Sequence, residues 1–190
     1  MNRHLFAAAT LGLALALSAC STTTATGGGA TPSEKRASID ANVNGAMTKL
    51  YAQDPDSRSM VARARGVLVF PRVVSAGFVV GGSYGQGSLL VGGQPVGYYS
   101  MTAGSVGLLA GADSKAVYIL FMTDEALNKF RASSGWTAGA DASVSLLNTG
   151  ASANIDTQTA KQPVVGYVLT NAGLMANLAI DGTKITRLDM

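Results

Sequence analysis

Gly66-Val67-Leu68-Val69-Phe70 and, further on, Ala116-Val117-Tyr118-Ile119-Leu120-Phe121-Met122 decide the fold of this chain. Both are unbroken apolar runs of strand length, rich in β-branched and aromatic side chains. A strand with one wet face would alternate, so runs like these predict central strands covered on both sides.

Outward from them the pattern changes. From Ala138 to Leu147 one face carries Ala138, Ala140, Ala142, Val144 and Leu146 against Gly139, Asp141, Ser143 and Ser145, and residues 151–156 repeat the alternation. Asn148-Thr149-Gly150 between them predicts a hairpin. Asn171-Ala172-Gly173 and Asp181-Gly182 punctuate three further strands, Val164–Thr170, Leu174–Ile180 and Thr183–Leu188, read as a meander. One helix interrupts, with Thr123 as its cap, Asp124 and Glu125 in the first turn and Leu127 and Phe130 on one face.

Upstream, Thr31-Pro32-Ser33-Glu34 is a capping box with proline at the first helical position. Ile39, Val43, Met47, Leu50 and Tyr51 then recur at helical spacing, predicting an amphipathic helix of about 20 residues that Asp54-Pro55 stops. Asp56 can cap a second helix reaching about Ala64. The expectation is an α+β fold, mainly β: a strongly twisted or nearly closed antiparallel sheet of hairpins and meander, with two or three covering helices.

Composition agrees. Of 190 residues, 47% are apolar and 13% charged, and 18 of the 23 glycines lie from Gly66 onward, where the strands are read. Such a chain is neither a disordered polymer nor, with a single cysteine, a disulfide scaffold. A net charge of +3 is too small for a nucleic-acid binder.

The first residues stand apart from this fold. Met1-Asn2-Arg3-His4 is a short basic start, Leu5 to Leu17 is almost wholly apolar, and Leu17-Ser18-Ala19 places small residues before Cys20, so 1–19 reads as a signal peptide. Leu17-Ser18-Ala19-Cys20 resembles the lipobox of bacterial lipoproteins, in which the chain is cut before the cysteine and that cysteine carries the lipid. An ordinary secretory signal ending near a cysteine is the alternative. Residues 20–31 are small and polar, a flexible tether with a typical reach near 20 Å. Residues 32–190 then form one domain. Ser21 stands where lipoproteins of the inner membrane typically carry Asp, so the resemblance implies the outer membrane of a Gram-negative cell, facing the periplasm.

Cleavage before Cys20 removes His4, the chain's only histidine, and leaves 13 of the 14 basic residues against 11 acidic ones. Ser–His and Cys–His nucleophiles need an imidazole, and zinc sites draw on His and Cys. The expectation is a protein that is not an enzyme and uses no metal or cofactor. Two motifs fall under the same argument. Gly81-Gly82-Ser83-Tyr84-Gly85 has the G-x-S-x-G spacing of hydrolase elbows, but no helix follows and no histidine serves it, so it reads as a glycine-rich hairpin. Asp124 and Glu125 are adjacent on a helix and point apart, as glycosidase carboxylates do not; the helix dipole explains them.

Arg65 to Phe78, with Gly81-Gly82-Ser83-Tyr84-Gly85-Gln86-Gly87 after it, resembles the opening of the SYLF domain family. Phe121 to Leu127, Trp136 to Val144, and Gly173 to Gly182 come next in the family's order, so the resemblance spans most of residues 35–188. It implies a lipid-binding domain. Eukaryotic members bind phosphoinositide-rich membranes and, in yeast, actin; bacterial members are commonly lipoproteins to which lipid binding is ascribed.

Arg58, Arg63, Arg65 and Arg72 occur with no acid among them, while the rest of the mature chain holds 9 basic and 11 acidic residues. Arginine forks suit phosphate oxygens. With Lys35, Arg36 and Lys49 of the first helix they are the candidate lipid-head-group residues, and Cys20 is the candidate lipidation site. A solvated helix face is the alternative. The function expected is a membrane-anchored envelope lipoprotein that binds anionic phospholipid without catalysis. The other reading is a structural lipoprotein that docks an envelope protein or peptidoglycan.

Overall fold

The computed structural model describes residues 30–77, 80–106, 111–147, 162–174 and 180–190. Cys20, the tether as far as residue 29, Phe78 and the expected hairpin at 148–156 lie outside the described residues.

Helix α1 spans Pro32–Gln53 and starts as its sequence requires: Thr31 Oγ1 accepts from the Glu34 N–H, and the Glu34 carboxylate accepts from the Thr31 N–H at 2.7 Å. Asp54 is its C-cap. Helix α2 runs Ser57–Arg63. Asp56 precedes it without a side-chain cap bond, and Ser57 Oγ donates instead to the Asp54 carbonyl. Helix α3, Asp124–Ala132, is capped by Thr123 Oγ1, which accepts from the Ala126 N–H.

Among the described residues nine strands form one sheet: β1 (Gly66–Gly77), β2 (Val80–Val91), β3 (Gln94–Val106), β4 (Gly111–Phe121), β5 (Trp136–Thr137), β6 (Ser145–Leu146), β7 (Val164–Thr170), β8 (Gly173–Leu174) and β9 (Lys184–Arg187). The order is β5-β9-β3-β2-β1-β4-β7-β6, with β8 paired to β7, and the sheet curls strongly into a half-barrel. The fold is α+β and mainly β, as expected. The two apolar runs are neighbours at its centre, paired from Gly66↔Phe121 to Phe70↔Val117.

Both faces of that centre are covered. Val67, Val69, Tyr118, Leu120, Val165 and Tyr167 pack under α1 and α2, meeting Val43, Met47, Leu50 and Met60. Leu68, Phe70, Val117, Ile119, Phe121 and Val168 line the opposite face, which α3 and Trp136 close. Phe130 is the hub there, 4.7 Å from the Phe121 ring, 5.0 Å from Tyr99 and 5.8 Å from Trp136. Tilted and edge-on pairs of this kind add about 0.5–1.5 kcal/mol each beyond their buried area.

Three expectations need correction. The alternating run from Ala138 does not form a strand. Gly139 takes φ 86°, the N–H groups of Ala140 and Asp141 return to the Thr137 carbonyl, and the Asp141 carboxylate accepts from the Thr137 N–H, making a turn. Alternation of alanines carries little β preference, and an Asp that can bond backbone close by favours a turn. Only β6 remains of the run, and it lies parallel to β7, the one parallel ladder among the described pairs. Of the expected C-terminal meander, residues 175–179 lie outside the described residues; β7 pairs with β8, but β9 is not the next strand of a meander, since it inserts between β3 and β5.

A bulge in β1 decides which way its outer half faces. Val69 pairs with Ser88 and Arg72 with Gln86, so three steps along β1 match two along β2, and a matching shift against β4 lies between Phe70 and Val73. Pro71, which cannot donate to a ladder, occupies the extra position, which is how a central strand tolerates proline. Gly87 lies beneath it, where a Cβ would collide with the Val69 carbonyl. Each bulge residue reverses the side-chain alternation beyond it. Val73 therefore joins the α3-side core, and Arg72 stands on the α1 side.

Candidate functional site

That reversal builds a groove between α1 and the sheet. On α1, Lys35, Ser38, Asn42, Gly45 and Lys49 recur at heptad-like spacing, one polar stripe beside the apolar stripe of Ile39, Val43, Ala46 and Leu50. The apolar stripe is buried on the sheet. The polar stripe borders two adjoining clefts of about 420 and 430 Å³, volumes in the range of small-ligand sites. They share Asn42, Pro71 and Arg72.

The first cleft is lined by Arg72 with Lys49 of α1, and Ser114 and Lys115 of β4, Thr170 at the end of β7 and Asn171 just beyond it complete the rim. Lys115 pairs with Val73, so alternation assigns its side chain to the other face and it contributes at the edge. In the second cleft Arg72 meets Lys35, with Val74, Tyr84 and Gln86 on the sheet side. Among the described residues Glu34 is the one acid on either lining. Its carboxylate is engaged by the Thr31 N–H and hydroxyl, which hold its pKa below the ordinary value. Gly45 leaves the floor open, since a Cβ there would have nothing within 4 Å. Cations, amides and hydroxyls around an open, small-residue floor suit a phosphate or other oxyanion.

The four arginines read together in the sequence are not brought together. Arg58 lies over the Tyr51 ring, its guanidinium carbon 4.4 Å from the centroid. Arg63 reaches the Met60 sulfur. Arg65 pairs with Asp124 at 3.5 Å, both largely exposed, a contact worth about 0–1 kcal/mol. Arg72 alone lines the groove. Of the helix candidates, Lys35 and Lys49 line it, and Arg36 turns away to donate to the Met190 carbonyl at 3.2 Å. Asn42, Ser114, Thr170, Asn171 and Lys115 were not legible as site residues, because they converge only through the pairing of α1, β1, β4 and β7.

The other side of α1 carries a cleft of about 360 Å³ lined by Met47, Tyr51, Val61, Val67 and Leu90 among others, without a charged side chain among the described residues. Ser83, the serine of the G-x-S-x-G pattern, lies within β2 and shares a 2.8 Å hydrogen bond with Ser75 across the ladder.

Residues 102–189 match the family described as Ysc84: Las17-binding protein actin regulator. This is the SYLF domain family to which the motifs pointed, and the match over residues 102–189 supports membership of it. No curated protein matches the chain. The matched segment runs from β3 to beyond β9, so it supplies Ser114, Lys115, Thr170 and Asn171, while Lys35, Lys49 and Arg72 lie before it.

Proposed function

We propose that this protein is a membrane-anchored envelope lipoprotein whose SYLF domain binds anionic phospholipid in the groove between α1 and the sheet and catalyses no reaction. The observation that carries the reading is Arg72, turned by the β1 bulge into two clefts that also hold Lys35 and Lys49. Anchoring comes from Cys20, on the strength of Leu17-Ser18-Ala19-Cys20, and Ser21 favours the outer membrane, with the domain facing the periplasm. None of the described helices is long and apolar enough to cross a membrane. The apolar stripe of α1 is spent on the sheet, so head-group contact falls to the cations beside it.

Each basic residue near an anionic surface is worth about 1 kcal/mol, and salt screens the attraction over a Debye length of about 10 Å at 0.1 M. That is weak for a free domain. A tether that holds the domain within a few nanometres of lipid raises the effective concentration enough to fill such a site. Sedimentation of the mature chain, residues 20–190 with Cys20→Ser, with phosphatidylcholine vesicles of rising phosphatidylglycerol content tests this. Association should grow with the anionic fraction and fall between low and physiological salt. Indifference to both would remove the head-group reading and favour the second one, docking of an envelope protein, for which the family's description as a Las17-binding protein is the support.

A further inference from the structure

The sheet continues past its core. Beyond Val73, before Gly85, beyond Met101 and before Ala116, strands β3-β2-β1-β4 run on as a four-stranded extension in which none of the described side chains is buried. Its pairing, Val74↔Tyr84, Ser75↔Ser83 and Ser75↔Asp113, sorts the two faces. Ser75, Ser83 and Asp113 share the α3 side. Val74, Ala76, Val80 and Tyr84 share the α1 side.

This face has the wrong polarity for water. Val80 is 72% exposed, Tyr84 51% and Val74 38%, and of four large apolar side chains exposed among the described residues these three share one face, with Val74 and Tyr84 paired. Ala76 and Gly82 lie between the Val74–Tyr84 pair and Val80, so this face carries only small and apolar residues on β1 and β2, and apolar side chains beside cations suit a surface that enters a membrane interface. Lys35 and Arg72 supply the cations, lining the same cleft as Val74 and Tyr84. Ala30 lines that cleft too. It is where the described chain starts, ten residues after Cys20, and the tether expected from the sequence would reach about 17 Å over that length. An acyl anchor on Cys20 would therefore lie on this side of the domain.

We infer that the extension is a membrane-inserting wedge: Val74, Val80 and Tyr84 enter the interfacial region of the bilayer while Lys35 and Arg72 stay at the head groups. The inference rests on the lipid-binding reading above and adds the orientation of the domain and the residues that enter lipid. Tyr84 suits the boundary, having an apolar ring and a hydroxyl that accepts from Gln86 Nε2 at 2.9 Å.

The test uses the acylated protein, purified from membranes and reconstituted into vesicles containing nitroxide-labelled lipid, with an NBD fluorophore on Val80→Cys, Tyr84→Cys or, as reference, Glu125→Cys on α3. Cys20 is the chain's sole cysteine and its thiol is taken by lipid in this reading, so each label is unique. Trp136 fluorescence checks the fold. The expected result is a blue shift and loss of most of the NBD intensity at 80 and 84 but not at 125, with the effect at 84 reduced when Val80 is changed to Asp. Vesicle-bound protein without quenching at 80 and 84 would overturn the wedge and leave the groove reading intact. Equal quenching with and without phosphatidylglycerol would support the wedge and remove the anionic head-group reading. Failure of the protein to stay on vesicles would overturn the wedge together with the anchor. A blue shift that needs no lipid and grows with protein concentration would overturn the wedge in favour of a second copy of the chain.

Discussion

Gly87 lies under Val69 so closely that a Cβ would collide with the Val69 carbonyl, and this close approach falls at the β1 bulge that aims Arg72 at α1. The backbone on the opposing side cannot retreat as a flexible side chain would. Gly87→Ala is therefore expected to cost about 3 kcal/mol, at the upper end for overpacking, read as a lowered urea midpoint. An unchanged midpoint would mean that the bulge does not depend on this glycine.

Gly45 has the opposite expectation. It lies inside α1, where glycine costs about 1 kcal/mol relative to alanine, and a methyl group on its Cα would meet nothing within 4 Å. Gly45→Ala should raise stability by about 0.5–1 kcal/mol in urea unfolding. Gly45→Met, which extends over the groove floor, should leave the protein folded and weaken its association with anionic vesicles. Unimpaired association of the methionine variant would mean that the floor is not used.

Two buried phenols set an alkaline limit. Tyr118 donates to the Ala46 carbonyl at 2.8 Å, and Tyr167 packs in the same layer. Burial pushes both above the ordinary value of about 10, and the carboxylates of Asp54 and Asp56 add to the effect on Tyr167. The unfolded chain releases these protons near pH 10 while the folded chain keeps them. Their contribution is thus complete below pH 10 and falls as pH rises beyond it. Urea midpoints should be level from pH 8 to 9.5 and drop by pH 11, and Tyr118→Phe should flatten the drop. A midpoint that does not fall would contradict the assignment.

How much of the fold was legible in the sequence depended on the range of each signal. The Thr31–Glu34 box, the Thr123 cap and the unbroken runs at Gly66 and Ala116 are local, and the structure agrees with all of them. The turn at Ala138 was hidden because small residues alternate without a preference for strand. The place of β9 beside β3 is a long-range pairing with no local mark. At the site, proximity in sequence groups the arginines, but Pro71 and the bulge separate Arg72 from Arg65. The single residue of extra length is visible only in the register.

The anchor makes a separate expectation. With Cys20→Ser the protein should leave the membrane fraction, since two or more acyl chains at about 0.8 kcal/mol per buried methylene hold a protein that weak head-group contact does not. Mass spectrometry of the wild-type protein should find Cys20 acylated and N-terminal. An unmodified Cys20, or a chain still beginning at Met1, would contradict it.

If the groove, and not the run of arginines, binds the lipid surface as proposed, two triple variants separate them. Vesicle association at low salt should fall about 100-fold for Lys35→Gln, Lys49→Gln and Arg72→Gln together, from about 1 kcal/mol for each cation. The loss should be several-fold smaller for Arg58→Gln, Arg63→Gln and Arg65→Gln, although both variants lose the same charge. Equal losses would mean that net charge alone draws the domain to lipid, and a larger loss in the second variant would contradict the groove outright.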